Sequence, residues 1–170
     1  MVPIVEPEVI MDGDHTIEDC FEVTSSTLKK VFQQLELHQV NLSGILLKPN
    51  MVISGTNCKE QASVEKVSKL TMQCLNENVP TEVPGIVFLS GGQSNEKATL
   101  HLNEMNKSFK NQPWKVSFSY GRALQQPSIL SWKGNINNVK ISQDALFKRS
   151  KLNSSATSGI YSPNDEQQMT

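Results

Sequence analysis

The sequence predicts an α/β fold built on a parallel sheet of four strands. Four short apolar segments are each followed by a stretch with helical periodicity, the strand–helix order of a parallel sheet. Each segment ends near a polar residue, and these residues are separated along the chain by 42, 42 and 32 positions: Glu6, Lys48, Ser90 and Arg122. Because parallel strands point their carboxyl ends at one edge of the sheet, these four residues are expected to gather there.

The first half of the chain supplies two strands and two helices. Val2–Val5 is the first apolar segment, and residues 17–35 place apolar side chains at spacings of three and four, as an amphipathic helix does. Gly44–Leu47 is the second strand, which Pro49 cannot continue. Ser63 is a suitable N-cap for the helix that follows.

The second half repeats this pattern. Gly85–Leu89 is a third buried strand, and Ser94 can cap the next helix. Val116–Ser119 is a fourth, less apolar strand, followed by a short helical piece around residues 123–124. A final helix is predicted over Val139–Leu152, with the basic cluster Lys148, Arg149 and Lys151 on a solvated face.

A single domain accounts for residues 1–161, and the polar segment 162–170 is predicted to be a disordered tail. Four strands fit both an open sheet and half of a (β/α)8 barrel, since the two share one local pattern. A complete barrel requires roughly 200 residues or more. The chain of 170 residues is therefore not a complete barrel.

Composition excludes several classes of function. Sixteen basic and seventeen acidic residues give a net charge of -1, which offers no reason to expect nucleic acid or an anionic membrane as a partner. No apolar run approaches the roughly 18–20 residues of a membrane span. Three cysteines without C-x-x-C spacing, and no targeting segment before the first strand, favour reduced thiols in the cytoplasm. The three histidines share no ligand spacing, so neither a metal nor another cofactor is expected.

Two polar strand ends carry candidate acid–base and nucleophilic chemistry. Burial at the end of an apolar strand lowers the pKa of a lysine and frees its amine to attack a carbonyl, although an isolated Lys48 is more often solvated. Glu6 and Glu8 lie two apart on an extended segment and face the same way. Two close carboxylates repel, so one keeps a raised pKa and can move protons; the alternative is a solvated acidic strand end.

The other two strand ends suggest a phosphate site. Ser90, Gly91 and Gly92 stand between a buried strand and a helix start, where backbone amides can converge on an anion. The same glycines fit a tight turn with no ligand. Gly121 permits close backbone approach, and Arg122 can hold a phosphate through two hydrogen bonds.

Four segments together resemble class I fructose-bisphosphate aldolase. They are Val2-Pro-Ile-Val-Glu-Pro-Glu8, Leu46-Leu-Lys-Pro-Asn-Met51, Phe88-Leu-Ser-Gly-Gly-Gln-Ser94 and Phe118-Ser-Tyr-Gly-Arg-Ala-Leu124. The resemblance runs from Val2 to about Tyr161, in the family's order and spacing. It implies strands five to eight of a TIM (β/α)8 barrel, hence the C-terminal half of the family's fold.

The resemblance also implies a role for each matching residue. Lys48 matches the lysine that forms a Schiff base with dihydroxyacetone phosphate or fructose 1,6-bisphosphate, Glu6 the proton acceptor, and Glu8 a supporting acid. The residues that match the substrate phosphate site are Ser90, Gly91, Gly92, Gly121 and Arg122. The implied activity is the reversible aldol cleavage of glycolysis and gluconeogenesis, with a sugar phosphate as substrate and no metal or cofactor.

The chain departs from the family in two respects. The family's first four strands, with their acidic and basic residues, have no counterpart, and its terminal tyrosine is replaced by the ending Gln168-Met-Thr170. A half barrel exposes two sheet edges, so pairing with a complementary half, or self-association as in the family's tetramers, is expected. Two alternatives fit the same residues: a non-catalytic aldolase-like remnant or interaction protein, and an incomplete sequence of an ordinary enzyme.

Overall fold

A computed structural model describes residues 1–168. Four parallel strands form one sheet in the order of the sequence, and each strand pairs with the next: β1 is Ile4–Val5, β2 Leu46–Leu47, β3 Gly85–Phe88 and β4 Lys115–Phe118. This confirms the predicted α/β fold. The first two strands are shorter than predicted, and β2 is preceded by a 3-10 turn at Leu42–Gly44.

Helices follow every strand. Their bounds are α1 Ile17–Leu37, α2 Val64–Asn78, α3 Asn95–Ser108, α4 Arg122–Trp132, α5 Val139–Thr157 and α6 Asp165–Gln168, with a 3-10 turn at Ile136–Asn138 before α5. Within residues 1–168, no helix combines the length and the apolar character needed to cross a membrane. Strand and helix alternate through α4, as in one half of a (β/α)8 barrel.

Side-chain caps mark where three of these helices begin. Thr16 caps α1 in a capping box, because its hydroxyl accepts from the amide of Asp19 while the Asp19 carboxylate accepts from the amide of Thr16. Ser63 and Ser94 cap α2 and α3 as predicted. At α4 the N-cap is Gly121, which has no side chain to accept a hydrogen bond.

The sheet buries one face and leaves the other open. Leu47 and Ile86 pair in register and are fully buried, and Val116 continues the row on β4. These side chains pack toward the helices. The alternate positions are less covered: Ile4 on β1 is 50% exposed and Lys115 on β4 is exposed. Because side chains alternate along a strand, the open face is the one that would line the inside of a barrel.

The two C-terminal helices differ from the prediction. The helical piece around residues 123–124 is one continuous helix that passes through Pro127. Helix α5 ends at Thr157 and not at Leu152, because Asn153 and Ala156 are fully buried and the Asn153 side chain accepts a hydrogen bond from Thr99. The polar composition of residues 153–157 gave no indication of this buried face.

The structure also differs from the disordered tail predicted for residues 162–170, over the part that it describes. Residues 163–164 form a turn and Asp165–Gln168 form α6. Glu166 holds this segment in place, since its carboxylate pairs with the buried Arg149. Residues 169–170 of the predicted tail lie outside the described residues.

Candidate active site

The carboxyl ends of the strands stay aligned beyond the strands themselves. The amide of Lys48 donates to the carbonyl of Val5 at 2.8 Å, and the amide of Ser119 donates to that of Phe88 at 2.9 Å. Between them, the amide of Leu89 donates to the carbonyl of Pro49 at 3.1 Å. The four segments that carry the predicted site residues therefore leave the sheet at one edge.

Lys48 and Glu6 form an ion pair on the open face of the sheet. Val5 pairs with the buried Leu47, so the residues that directly follow the two strands, Glu6 and Lys48, project to the opposite face. Lys48 Nζ lies 2.9 Å from Glu6 Oε1, and the two side chains are 20% and 47% exposed. An amine and a carboxylate are thus within proton-transfer distance on the face that would line a barrel.

Glu8 lies beside the loop after β3 and forms no ion pair with Lys48. A Cβ atom built on Gly91 would come within 2.8 Å of Glu8 Oε1. The segment after Glu8 is fixed from the neighbouring strand, because the amide of Val9 donates to the Asn50 side chain at 3.0 Å. The structure thus gives the two carboxylates different neighbours, although they are only two residues apart.

The loop after β3 is closely packed. Ser90 is buried, and its carbonyl accepts from the amide of Gln93 at 3.3 Å, which closes a turn. Gly92 has a φ of +72°, and a Cβ atom there would lie 2.6 Å from the Cβ of Met11. Both the left-handed backbone and the lack of space require glycine at this position. The loop is thereby held in one conformation against the segment that follows β1.

Helix α4 begins with amides that no side chain caps. The carbonyl of Gly121 accepts from the amides of Leu124 and Gln125, whereas the amides of Arg122 and Ala123 precede the first intrahelical bond. Arg122 is exposed, and its guanidinium makes no ion pair within residues 1–168. Free amides at a positive helix end and an unpaired guanidinium suit an anion.

Sequence reasoning missed Arg149, which was assigned to a solvated face. It is 3% exposed and donates hydrogen bonds to α3, α4 and α6. A signal was present, since Arg149 shares a helical face with the buried Leu152 and Ala156 at spacings of three and seven. A charged residue on an otherwise buried face indicates a specific buried partner.

Burial shifts the pKa of two further groups near the loop after β3. Desolvation, and to a smaller extent the charge of Lys97, lowers the pKa of His101 to about 4. Its Nδ1 lies 2.7 Å from Gln93 Oε1. Burial also raises the pKa of Tyr120, whose hydroxyl donates to the carbonyl of Ala98 at 2.9 Å. Both groups are neutral packing residues behind the loops.

No set of His, Cys, Asp and Glu side chains in the described part of the chain is arranged to hold a metal ion. The functional groups at this edge of the sheet lie on the strand ends and on the loops that follow them. They comprise an amine paired with a carboxylate, a second carboxylate over a glycine loop, and an uncapped helix start with an arginine.

Comparison with known proteins agrees with this arrangement. The family model for fructose-bisphosphate aldolase class-I matches residues 1–170. A probable fructose-bisphosphate aldolase class 1 of Xanthomonas campestris is 52% identical over 95% of this chain and 48% of its own length. Fructose-bisphosphate aldolase of Dictyostelium discoideum is 49% identical over 95% of the chain and 45% of its own length. The chain spans about half the length of these relatives.

A solved structure gives the same result for the fold. Fructose-bisphosphate aldolase from Plasmodium falciparum, in complex with TRAP and a small-molecule inhibitor, superposes with a TM-score of 0.92 and is 46% identical. The superposition covers 95% of this chain and 46% of that one. Four parallel strands with their helices thus correspond to half of that fold.

Proposed function

The chain belongs to the class I fructose-bisphosphate aldolase family, and on that premise we propose that it carries the Schiff-base half of an aldolase active site. The reaction is the reversible cleavage of fructose 1,6-bisphosphate to dihydroxyacetone phosphate and glyceraldehyde 3-phosphate. The observation that carries the proposal is the 2.9 Å separation between Lys48 Nζ and Glu6 Oε1. A nucleophile within hydrogen-bond distance of a base is what covalent catalysis requires.

Lys48 is the nucleophile. After its ammonium gives a proton to Glu6, the amine attacks the ketone carbon of the sugar and forms a C–N bond. Glu6 returns that proton to the carbonyl oxygen and then carries a second proton from the adduct nitrogen to the same oxygen, which leaves as water. The resulting protonated imine takes up the electron pair of the C3–C4 bond as that bond breaks, and an enamine remains on Lys48.

Glu6 is also the base for the cleavage step. It accepts the proton of the C4 hydroxyl as the C3–C4 bond breaks, so the C4 fragment departs as an aldehyde. Protonation of the enamine at C3 and addition of water to the imine then release dihydroxyacetone phosphate and restore the lysine. Glu8, which lies over Gly91, is the supporting acid between this pair and the phosphate loop.

The substrate phosphate binds between the loops after β3 and β4. The amides of Gly91 and Gly92, the hydroxyl of Ser90 and the first amides of α4 at Gly121 supply hydrogen-bond donors. Arg122 supplies the compensating charge. The support for this site is that Arg122 is exposed and makes no ion pair within the described residues, and that α4 starts without a side-chain cap.

The open sheet indicates what kind of partner would cover it. The unpaired edges of β1 and β4 and the open face between them fit a complementary half that closes a barrel, or another copy of the chain in an oligomer. All three cysteines are free thiols in this structure, which fits a reducing, cytosolic location.

A trapping experiment tests the function. The 170-residue chain is incubated with dihydroxyacetone phosphate and borohydride, and the reduced adduct is mapped by mass spectrometry. We expect the adduct on Lys48 and none in Lys48→Arg, with Lys115→Arg, which alters an exposed strand lysine, as the matched control. An unlabelled Lys48 at millimolar substrate would refute covalent catalysis by this chain.

The phosphate site is tested separately. Arg122→Ala is expected to weaken binding of dihydroxyacetone phosphate by at least ~1 kcal/mol, because charge-assisted hydrogen bonds contribute about 1.5–3 kcal/mol. Isothermal titration calorimetry measures the change, and Lys133→Ala, an exposed cation after α4, is the control. Equal affinity in the wild type and Arg122→Ala would remove Arg122 from the site.

A further inference from the structure

Arg149 occupies an unusual position for a charged residue. It lies on α5, 3% exposed, behind the loops that follow β3 and β4. Its guanidinium donates four hydrogen bonds: Nε to the carbonyl of Ala123 at 3.3 Å, Nη2 to the carbonyl of Asn95 at 3.0 Å and to the Thr99 hydroxyl, and Nη1 to the Glu166 carboxylate at 2.5 Å. One rigid planar group thus joins three separate elements.

The contact with α4 depends on Pro127. In a regular helix the carbonyl of Ala123 accepts from the amide four residues later, and that residue is Pro127, which has no N–H. Arg149 supplies the missing donor. Ala123 directly follows Arg122, so the bond fixes the first turn of α4 at the residue next to the phosphate-site arginine.

The contact of Arg149 with α3 also lies at the start of the helix. Asn95 is the first residue of α3 and follows the phosphate loop of residues 90–94. Thr99 lies one turn further along, and its hydroxyl oxygen is 2.9 Å from the Asn95 carbonyl oxygen. The starts of α3 and α4, which carry the two halves of the phosphate site, are therefore tied to the same guanidinium.

Glu166 balances the buried charge and orients it. Its carboxylate is 20% exposed, pairs with Arg149, and accepts from the Tyr161 hydroxyl at 3.1 Å. Lys148, the neighbour of Arg149 on α5, donates to the Glu166 main-chain carbonyl. A buried guanidinium without such a partner is strongly destabilising, so α6 is part of the same arrangement.

We propose that Arg149 is a positioning residue for the substrate phosphate: it sets the spacing between the loop of residues 90–94 and Arg122 by holding the first turns of α3 and α4. The proposal rests on the phosphate site of the proposed function. Arg149 itself does not touch the substrate. It acts through Asn95 and Ala123, and Glu166 keeps its planar group in the orientation that reaches both.

The test separates positioning from simple stability. Arg149→Lys keeps the charge but cannot place donors on both carbonyls and on Glu166, and Thr99→Val removes one contact without unpairing the charge. We expect Arg149→Lys to raise the dissociation constant for dihydroxyacetone phosphate about tenfold, and Thr99→Val to raise it by a smaller factor. Borohydride trapping on Lys48 at saturating substrate should equal that of the wild type, since the ion pair of Lys48 is with Glu6 and not with a residue that Arg149 holds.

Leu28→Val is the stability control, since it alters the buried core of α1 and touches neither loop. It should lower the unfolding temperature and leave the dissociation constant unchanged. A lower unfolding temperature with the dissociation constant within about twofold of wild type, in both Arg149→Lys and Thr99→Val, would overturn the proposal. If Arg149→Lys does not fold, Thr99→Val alone decides.

Arg122→Ala separates this inference from the function on which it rests. Weaker binding in Arg122→Ala together with unchanged binding in the Arg149 and Thr99 variants refutes positioning and leaves the phosphate site intact. A wild-type chain that neither binds dihydroxyacetone phosphate nor gives the Lys48 adduct refutes both.

Discussion

Gly92 and Gly134 show how the surroundings of a residue decide what a glycine contributes. Both have a positive φ, of +72° and +68°. A Cβ atom at Gly134 meets nothing within 4 Å, whereas one at Gly92 would lie 2.6 Å from the Cβ of Met11, which cannot rotate away. The backbone strain is common to the two positions, and the collision belongs to Gly92 alone.

We therefore expect Gly92→Ala to destabilise the fold more than Gly134→Ala. The strain of a left-handed alanine costs about 1–3 kcal/mol at either site, and displacement of Met11 adds about 1–3 kcal/mol at Gly92. Urea unfolding of both variants measures the difference. Equal losses of unfolding free energy would show that the segment around Met11 moves freely and does not support the phosphate loop.

His101 makes the stability depend on pH. Its pKa is lowered to about 4 by burial and by Lys97, so the folded state holds this imidazole neutral where the unfolded chain, with a value of 6.5, protonates it. Its contribution to stability is fully present above pH 6.5 and is lost as the pH falls toward 4. One pKa unit corresponds to about 1.36 kcal/mol, so the free energy of unfolding falls by ~3 kcal/mol over this range.

Replacing His101 tests this dependence. Between pH 6.5 and 4, the unfolding free energy of His101→Gln should fall by less than that of the wild type. His38→Gln, at the exposed end of α1, is the control and should follow the wild type. A pH profile of His101→Gln parallel to the wild type would show that the imidazole is protonated within the fold.

At the residue scale, the sequence predicted which polar strand-end residues lie together, but not the buried arginine behind their loops. Lys48 and Glu6 could be placed together because each follows an apolar strand directly, and strand register then fixes the face. Arg149 could not, because its partners Asn95 and Ala123 are main-chain carbonyls on other helices. Nothing in the residue types at those positions indicates an acceptor.

At the scale of elements, helix starts were predictable and helix ends were not. Ser63 and Ser94 identified two starts because a hydroxyl satisfies amides that are otherwise free. The ends of α4 and α5 depend on tertiary contacts, through Pro127 and through the buried Asn153. Local sequence rules, which penalise proline and asparagine within a helix, therefore ended both helices too early.

Helix α4 supplies an element-scale prediction, a coupling between Pro127 and Arg149. Pro127→Ala restores an amide that can donate to the Ala123 carbonyl, so loss of the Arg149 donor should matter less in that background. In a double-mutant cycle on unfolding free energies, Arg149→Lys should cost about 1 kcal/mol less when residue 127 is alanine. Additive effects would mean that the Ala123 carbonyl does not depend on Arg149.

At the scale of the whole molecule, the accessible surface is large for the mass. A compact monomer of 18.9 kDa is expected to expose about 8,300 Å², whereas this chain exposes 9,689 Å². The excess of about 1,400 Å² is larger than one partner's share of a standard protein interface, about 800 Å². The four-strand sheet was predictable from sequence. The extent of its uncovered surface was not, because it depends on how the helices pack in three dimensions.

The exposed apolar side chains concentrate on the C-terminal helices and lead to a final prediction. Ile129 and Leu130 on α4 are 60% and 63% exposed, and Phe147 on α5 is 68% exposed. Because exposed apolar surface is unfavourable in water, the 170-residue chain should associate reversibly as its concentration rises, as sedimentation velocity would detect. The double substitution Ile129→Lys with Leu130→Lys should shift the chain toward monomer, while Val23→Lys, at a 51% exposed site on α1, should not. A wild-type chain that stays monomeric at all concentrations, or equal association of the two variants, would show that this surface is not where partners bind.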